Sequence, residues 1–386
     1  MRYQKFKGDF LFTGKEMLSG DQVLIISEKG EVQEIVPSSD AGDDIQVFEG
    51  TLAPGFVNCH CHLELSHLKD VIPPHTGLVD FLISVIQRRG FEKEVIADAI
   101  TRAEQEMYNN GTVAVGDIGN TIDAIATKQQ SNIYWQNFIE VLSFSDARAE
   151  ENMANYKNIL QTFQQALSGK SSLAPHSPYS ISPKTFEMIN AATKEQIISI
   201  HNQESIAEDV LYKTGEGDFL KLYKNFGVEK SPFPITGKST IQSYLPHFKN
   251  GQTIFIVHNT YMQEEDIVFA NNYAMQNGLQ LVYCFCPNAN KYIENQLPQL
   301  DLFIKHNCRM VLGTDSYSSN WQLNIAKEIK TLHEAFPDVS LTTLLQMGSL
   351  NGAEALQLTD KLGSFEKGKT PGVVAISGDF KSRRIG

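Results

Sequence analysis

The chain predicts an α/β fold: a closed (β/α)8 TIM-like barrel carrying a small β unit built from both chain ends. Three observations predict it. Eight apolar runs of strand formers recur along the chain, at 56–62, 112–117, 133–140, 172–176, 197–201, 253–258, 279–286 and 309–315. The gaps between them are long enough for helices, and 97–109 and 152–166 carry apolar residues at the 3.6-residue rhythm of a helix face. Polar side chains stand at the C-terminal ends of the runs, where a parallel barrel gathers its chemistry. A doubly wound open sheet is the alternative with the same alternation.

Before the first barrel run, 8–12, 22–27 and 32–36 read as short strands separated by turns such as Lys29-Gly30 and Ser38-Ser39-Asp40. This stretch is too short for a core of its own. The tail, with 373–377 as a further strand, is similar, so the two ends are expected to pair in one satellite sheet. The expected division is therefore 1–52 plus 355–386 for the satellite and 53–354 for the barrel. A chain of 386 residues accommodates that plan.

Apolar residues make up 41% and charged residues 20%, as in soluble globular proteins. A net charge of -12 disfavours nucleic acid and anionic membrane as partners, since both attract basic patches. There is no apolar run long enough to span a bilayer. The first residues, Met1-Arg2-Tyr3-Gln4-Lys5-Phe6, lack a signal-peptide core, so a cytoplasmic location is expected. Five cysteines do not form a disulfide framework. Cys59 and Cys61 alternate with His60 and His62, and Cys284 and Cys286 repeat that spacing. All four read as small apolar filler rather than metal ligands.

Pro54-Gly55-Phe56-Val57-Asn58-Cys59-His60-Cys61-His62 holds the first chemical signal. Two histidines at i and i+2 on a strand project to one face, so they can share one metal ion. Of ten histidines, five close apolar runs: His60, His62, His176, His201 and His258. Asp315 closes the last, in Leu312-Gly313-Thr314-Asp315, where packing gives an acid no role. A site of His60, His62, His201 and Asp315 leaves one position for water, the open coordination of a catalytic zinc. Bound zinc lowers the pKa of water from about 15.7 to about 7, removing about 12 kcal/mol of deprotonation cost. Glu204, three residues after His201, is expected to carry protons, and His258 to hydrogen-bond the hydroxide or developing oxyanion. Asp117 and Glu140 read as loop anchors or orienting groups. His67, His75, His247, His306 and His333 read as surface or structural.

Together these residues resemble the amidohydrolase superfamily in its chlorohydrolase and nucleobase-deaminase branch, over nearly the whole chain. Residues 54–62 resemble its first-strand motif, and His176-Ser177-Pro178-Tyr179 its fourth-strand His-x-x-Tyr. His201-x-x-Glu204, His258 and Thr314-Asp315 resemble the later motifs in order. Leu362-Gly363-Ser364-Phe365-Glu366-Lys367-Gly368 is similar to the returning segment of a satellite β-sandwich. The resemblance implies catalysis by Glu204, His258 and Asp315. It implies substrate contacts from His176, Glu204, Ser319 and Asn290. It also implies one divalent metal per chain, since the fourth strand lacks the bridging lysine of two-metal relatives. Zinc is the expected ion, iron the alternative, and a homodimer the expected assembly.

Within the branch the chain is most similar to aminodeoxyfutalosine deaminases. That likeness rests on His60-x-His62-x-Glu64-x-Ser66, Asp80-Phe81-x-x-x-Val85-Ile86-x-x-Arg89, His201-x-x-Glu204-Ser205-x-x-Glu208, Asn290-Lys291-x-x-x-Asn295 and Asp315-x-x-Ser318-Ser319-Asn320. Two departures stand out. Phe285-Cys286-Pro287-Asn288-Ala289-Asn290 replaces the usual His-Cys-Pro-x-Ser-Asn, and Gly368-Lys369-Thr370-Pro371-Gly372 replaces Gly-Lys-x-Ala-Asp. The expected activity is hydrolytic deamination of an aminopurine nucleoside-like substrate or related cyclic amidine. Hydrolysis of a cyclic amide or chlorinated heterocycle on the same site is the rival, and a non-catalytic scaffold the second. Residues 205–236, with Phe219, Leu222, Tyr223 and Phe226, read as a helical flap that excludes water or as ordinary barrel-helix packing. Arg88 or Arg89 is a candidate partner for any substrate carboxylate, the alternative being that both sit on an exposed helix.

Overall fold

A computed structural model describes residues 3–386. Eight parallel strands close around one axis: β8 (Phe56–Cys61), β9 (Thr112–Gly119), β10 (Tyr134–Val141), β11 (Ser171–Pro175), β12 (Ile197–Asn202), β13 (Thr253–His258), β14 (Gln280–Phe285) and β15 (Met310–Leu312). They form two runs of four neighbours, β8 to β11 and β12 to β15. The His201 amide donates to the His176 carbonyl at 3.0 Å across one seam. The Thr314 and Asp315 amides donate to the His60 carbonyl at 2.9 and 3.0 Å across the other. These bonds close the barrel and exclude the open-sheet alternative. They also place four of the expected site residues at the two seams.

The eight strands are where the apolar runs predict them. The last is shorter: regular pairing stops at Leu312, and Gly313 to Asp315 continue as an irregular edge joined to Cys61 by a single bridge. Gly313 is required there. A Cβ would lie 2.7 Å from His60 Cβ and 2.9 Å from Cys286 Sγ. Any larger residue would push the first and last strands apart.

The satellite contains nine further strands: β1 (Tyr3–Lys7), β2 (Phe10–Phe12), β3 (Met17–Ser19), β4 (Gln22–Ser27), β5 (Val32–Pro37), β6 (Ile45–Val47), β7 (Thr51–Pro54), β16 (Val373–Ile376) and β17 (Ser382–Arg384). They make two sheets, ordered β5-β4-β1-β6 and β17-β16-β7-β2-β3, rather than one. Phe6, Leu24 and Ile26 from the first face Leu11, Leu52, Val373 and Ala375 from the second in a shared core. This is a sandwich, with the chain ends meeting where β16 pairs with β7. Strands β1, β3, β6, β7 and β17 carry no strong alternation in so few residues, so the apolar pattern alone does not mark them.

The chain passes from β7 directly into β8 through Gly55. A Cβ there would meet Val113 Cγ1 at 2.3 Å and the Pro371 carbonyl at 2.5 Å. The Pro-Gly of the first motif thus serves the junction between sandwich and barrel.

Cys59, Cys284 and Cys286 lie buried with Val57, Val257 and Ala353 as apolar filler, and all five cysteines are free. No helix among the described residues is long and apolar enough to cross a membrane.

Candidate metal centre and cavity

The strand ends at the top of the barrel turn sharply. His258 has φ +73° and Asp315 φ +57°, in the left-handed region that side chains with a Cβ avoid at a cost of about 1–2 kcal/mol. The turn aims both side chains at the barrel axis instead of continuing the strand.

There, His60, His201, His258 and Asp315 bring ligand atoms within 4.8 Å of one another. His62 joins them, its Nε2 3.2 Å from His201 Nε2 and 3.4 Å from Asp315 Oδ1. His60 Nε2 is also 3.4 Å from Asp315 Oδ1. Ligands bonded at 2.0–2.1 Å around a tetrahedral ion are about 3.3–3.4 Å apart, so these separations suit a zinc-sized cation. The side chains are also short of other partners. His60 is fully buried with neither ring nitrogen hydrogen-bonded. His201 Nδ1 donates to the His176 carbonyl at 2.6 Å, which leaves Nε2 with a free lone pair. The donor set fits a divalent cation.

The residues around this cluster fix its charge. Burial opposes ionisation of Asp315, but the His60 ring 3.4 Å away and the neighbouring His62 and His258 rings hold its carboxyl well below the usual range. Ser319 Oγ donates to its other oxygen, and Asn320 fixes the Thr314 carbonyl at 2.7 Å. Burial drives His201 well below the ordinary imidazole value, and His258 down to about 4. His258 Nδ1 is 2.8 Å from Asn290 Oδ1, so the neutral ring donates from Nδ1 and leaves Nε2 bare. Glu204 behaves oppositely. Burial first, then the charges of Asp315, Glu208 and Glu294, push its carboxyl well above the ordinary carboxylate range.

Above the cluster lies a cavity of about 640 Å³. His62, His176, His201, Glu204, His258 and Asp315 form its floor. Phe81, Leu82, Val85 and Ile86, from the helix Leu78–Arg88, line one wall. Leu222, Tyr223 and Phe226 from the expected flap line another, while Phe219 packs beneath them on Tyr179 at 4.3 Å. Ser319 and Asn290, expected against the substrate, lie instead behind Asp315 and His258, away from the cavity wall. Their short side chains reach the chemical groups but not the space above them.

Of the arginines, Arg89 lines the cavity, whereas Arg88 lies on the exposed face and donates to the Val71 carbonyl at 3.1 Å. Asp117 is a loop anchor: it accepts from the Leu63 amide at 2.8 Å and pairs with buried Lys128 at 2.5 Å. His67, His247, His306 and His333 are remote from the cluster. His247 stacks on Phe186, and His306 pairs with Glu264.

Sequence reasoning missed Asn58, Glu64, Asn120 and Glu328 as site supports. Asn58 bonds Thr314 in both directions across the seam, at 2.8 and 3.1 Å. Glu64 accepts from the Asn120 and Thr121 amides at 3.0 and 2.9 Å. Glu328 accepts from Asn288 and Asn320 below Asp315. Asn58 lies inside the first motif, where a polar residue in an apolar run was the available signal, and Glu64 follows that motif by two residues.

A closed parallel barrel with a histidine and aspartate cluster at the C-terminal mouth defines a barrel metallohydrolase. The chain belongs to the amidohydrolase family, whose pattern matches residues 51–384. It is similar to an aminodeoxyfutalosine deaminase of a Nitratiruptor species, with 28% identity over 76% of this chain and 70% of that one. An adenosine deaminase of Helicobacter pylori is 27% identical over 82% of this chain and 76% of that one. Among solved structures, Helicobacter pylori aminofutalosine deaminase in complex with methylthio-coformycin superposes with a TM-score of 0.77 at 21% identity, covering 98% of this chain and 93% of the other. A Xanthomonas campestris adenosine deaminase with bound zinc gives 0.73 at 21% identity, covering 97% and 84%.

Proposed function

We propose that the chain is a metal-dependent hydrolytic deaminase of adenosine-like compounds, acting on a C–N bond other than a peptide bond. The observation that carries this reading is Glu204: a buried carboxyl that burial makes hold its proton more tightly than usual, beside a cluster of histidines and an aspartate. Deamination of a cyclic amidine needs a proton delivered to the ring nitrogen as water adds to the neighbouring carbon. A neutral carboxyl supplies it, and an ionised one does not.

His60, His62, His201 and Asp315 would hold the cation, with zinc the ion favoured by their spacing. The bound cation supplies Lewis-acid activation of the attacking water. Asp315, ionised, accepts a proton from that water. His258, with Nε2 bare, orients the water by accepting a hydrogen bond, so it steadies a developing oxyanion only after taking a proton itself. Glu204 delivers its proton to the ring nitrogen; the departing amine takes the proton gathered by Asp315 and leaves as ammonia, while the hydroxyl proton of the adduct returns to Glu204 as the carbonyl forms. His176 and the apolar walls hold the rest of the nucleoside. Similarity to the aminodeoxyfutalosine deaminase supports that compound as the substrate to try first.

Ammonia release from a panel of adenosine-type and aminofutalosine-type nucleosides, measured on zinc-loaded full-length protein, tests the reading. Turnover of at least one is expected. No ammonia from any of them, with the metal in place, overturns it.

A further inference from the structure

We propose that Glu140 is a positioning residue for substrate binding, acting through His176; the inference rests on the deaminase reading of the site. Glu140 is the penultimate residue of β10 and His176 follows β11, its neighbour in the barrel. His176 Nδ1 and Glu140 Oε1 are 2.6 Å apart, and both side chains are largely buried. The other carboxylate oxygen, Oε2, accepts from Asn120 Nδ2 at 3.0 Å. A carboxylate accepts only, so the proton between it and the imidazole sits on Nδ1. That leaves Nε2, which has no protein partner, facing the cavity.

One contact thereby sets two properties of His176. It fixes the ring plane, because no other group bonds Nδ1. It also fixes which nitrogen is offered to a polar edge of the substrate. The same loop is tied to the metal cluster through its backbone, since the His176 carbonyl takes the Nδ1 proton of His201. Asn120 extends the chain of bonds to Arg89, whose Nη2 donates to Asn120 Oδ1 at 3.3 Å.

A competing role exists. His62, Glu140 and His201 also bring ligand atoms within 4.8 Å of one another, so Glu140 has the reach of a metal ligand. Both of its oxygens are already engaged by His176 and Asn120, and this favours positioning.

The test uses full-length, metal-loaded protein and the Glu140→Gln, His176→Asn and double variants, with a nucleoside that the wild type deaminates. Glu140→Gln is expected to lower kcat/KM by about 10–100-fold, mostly through KM, with metal content unchanged. The double variant is expected to fall no lower than His176→Asn alone, because both changes remove one interaction. Glu140→Asp, which keeps the carboxylate, should recover part of the loss. Unchanged kinetics in Glu140→Gln, multiplying losses in the double variant, or loss of metal would each overturn the proposal.

If Glu140→Gln does not fold, Asn120→Ala perturbs the same carboxylate more gently, and a smaller rise in KM is expected. Nitrogen-15 spectra of histidine-labelled wild type give a readout independent of turnover. They should show His176 protonated at Nδ1, with the signal assigned by its loss in His176→Asn. A bare Nδ1 sinks the inference even if deamination is confirmed. A protonated Nδ1 in a protein that releases no ammonia sinks the functional reading instead.

Discussion

Glu204 Oε2 and His258 Nε2 face each other across 3.5 Å, and the same burial raises the proton affinity of the carboxyl and lowers that of the imidazole. In water between about pH 4.5 and 6.5 the two groups would carry opposite charges and form an ion pair. Here they are a proton donor and a proton acceptor, held ready before any substrate arrives.

Glu204→Gln keeps the shape but has no acidic proton to give. Its kcat should fall by about 10²–10⁴-fold, while bound metal per chain stays at the wild-type level. Steady-state kinetics paired with metal analysis check this, and a variant within threefold of wild type would remove Glu204 from proton transfer.

His60→Ala takes away the ligand that has no other partner in the fold. Metal content measured after dialysis should drop towards zero, with activity lost in parallel. Chelation of the wild type should lower its melting midpoint, because a cation bound only to the folded state stabilises it by mass action, by about 2.7 kcal/mol at a hundred times Kd. Full occupancy in His60→Ala would mean that the ligand set is different.

Lys128→Met isolates the structural role of Asp117. Both partners of this ion pair are at most 4% exposed, so removing the lysine strands a buried carboxylate. A loss of about 3–5 kcal/mol in denaturant unfolding is expected. A loss below about 1 kcal/mol would show that the pair is dispensable.

Glu328 makes stability depend on pH. Burial raises its carboxyl to about 8, against an ordinary value of 4.5. The folded chain therefore keeps a proton that the unfolded chain releases between those values. Stability is highest below about 4.5 for this group and falls as pH rises towards 8, by up to about 1.4 kcal/mol per pH unit. Glu328→Gln should flatten that part of the profile. Denaturant midpoints at pH 6 and pH 8.5 in both proteins decide it, and equal slopes would discard the assignment.

The barrel was legible because seven of the eight strand runs end in a polar residue that packing does not explain, the run closed by Cys286 being the exception. His60, His201, His258 and Asp315 each interrupt apolar sequence at the position where a strand opens onto the mouth. The supporting groups were less legible for a physical reason. Glu140 and Asn120 matter through what they touch, and their partners are 36 and 20 residues distant in the chain. Ser319 and Asn290 lie in motifs rich in polar residues, where the sequence does not distinguish a side chain facing the cavity from one bracing its floor. In the sandwich, a three-residue strand such as β6 is defined by pairing with the distant β1, and local alternation leaves no trace of it.

The left-handed backbone at His258 and Asp315 sets stability against activity at the same two positions. Glycine or asparagine at either would relieve conformational cost while deleting a group that the chemistry needs. Selection for thermal robustness alone would therefore erode this mouth first, and libraries screened only for folding should enrich inactive barrels with small or flexible residues at those two corners.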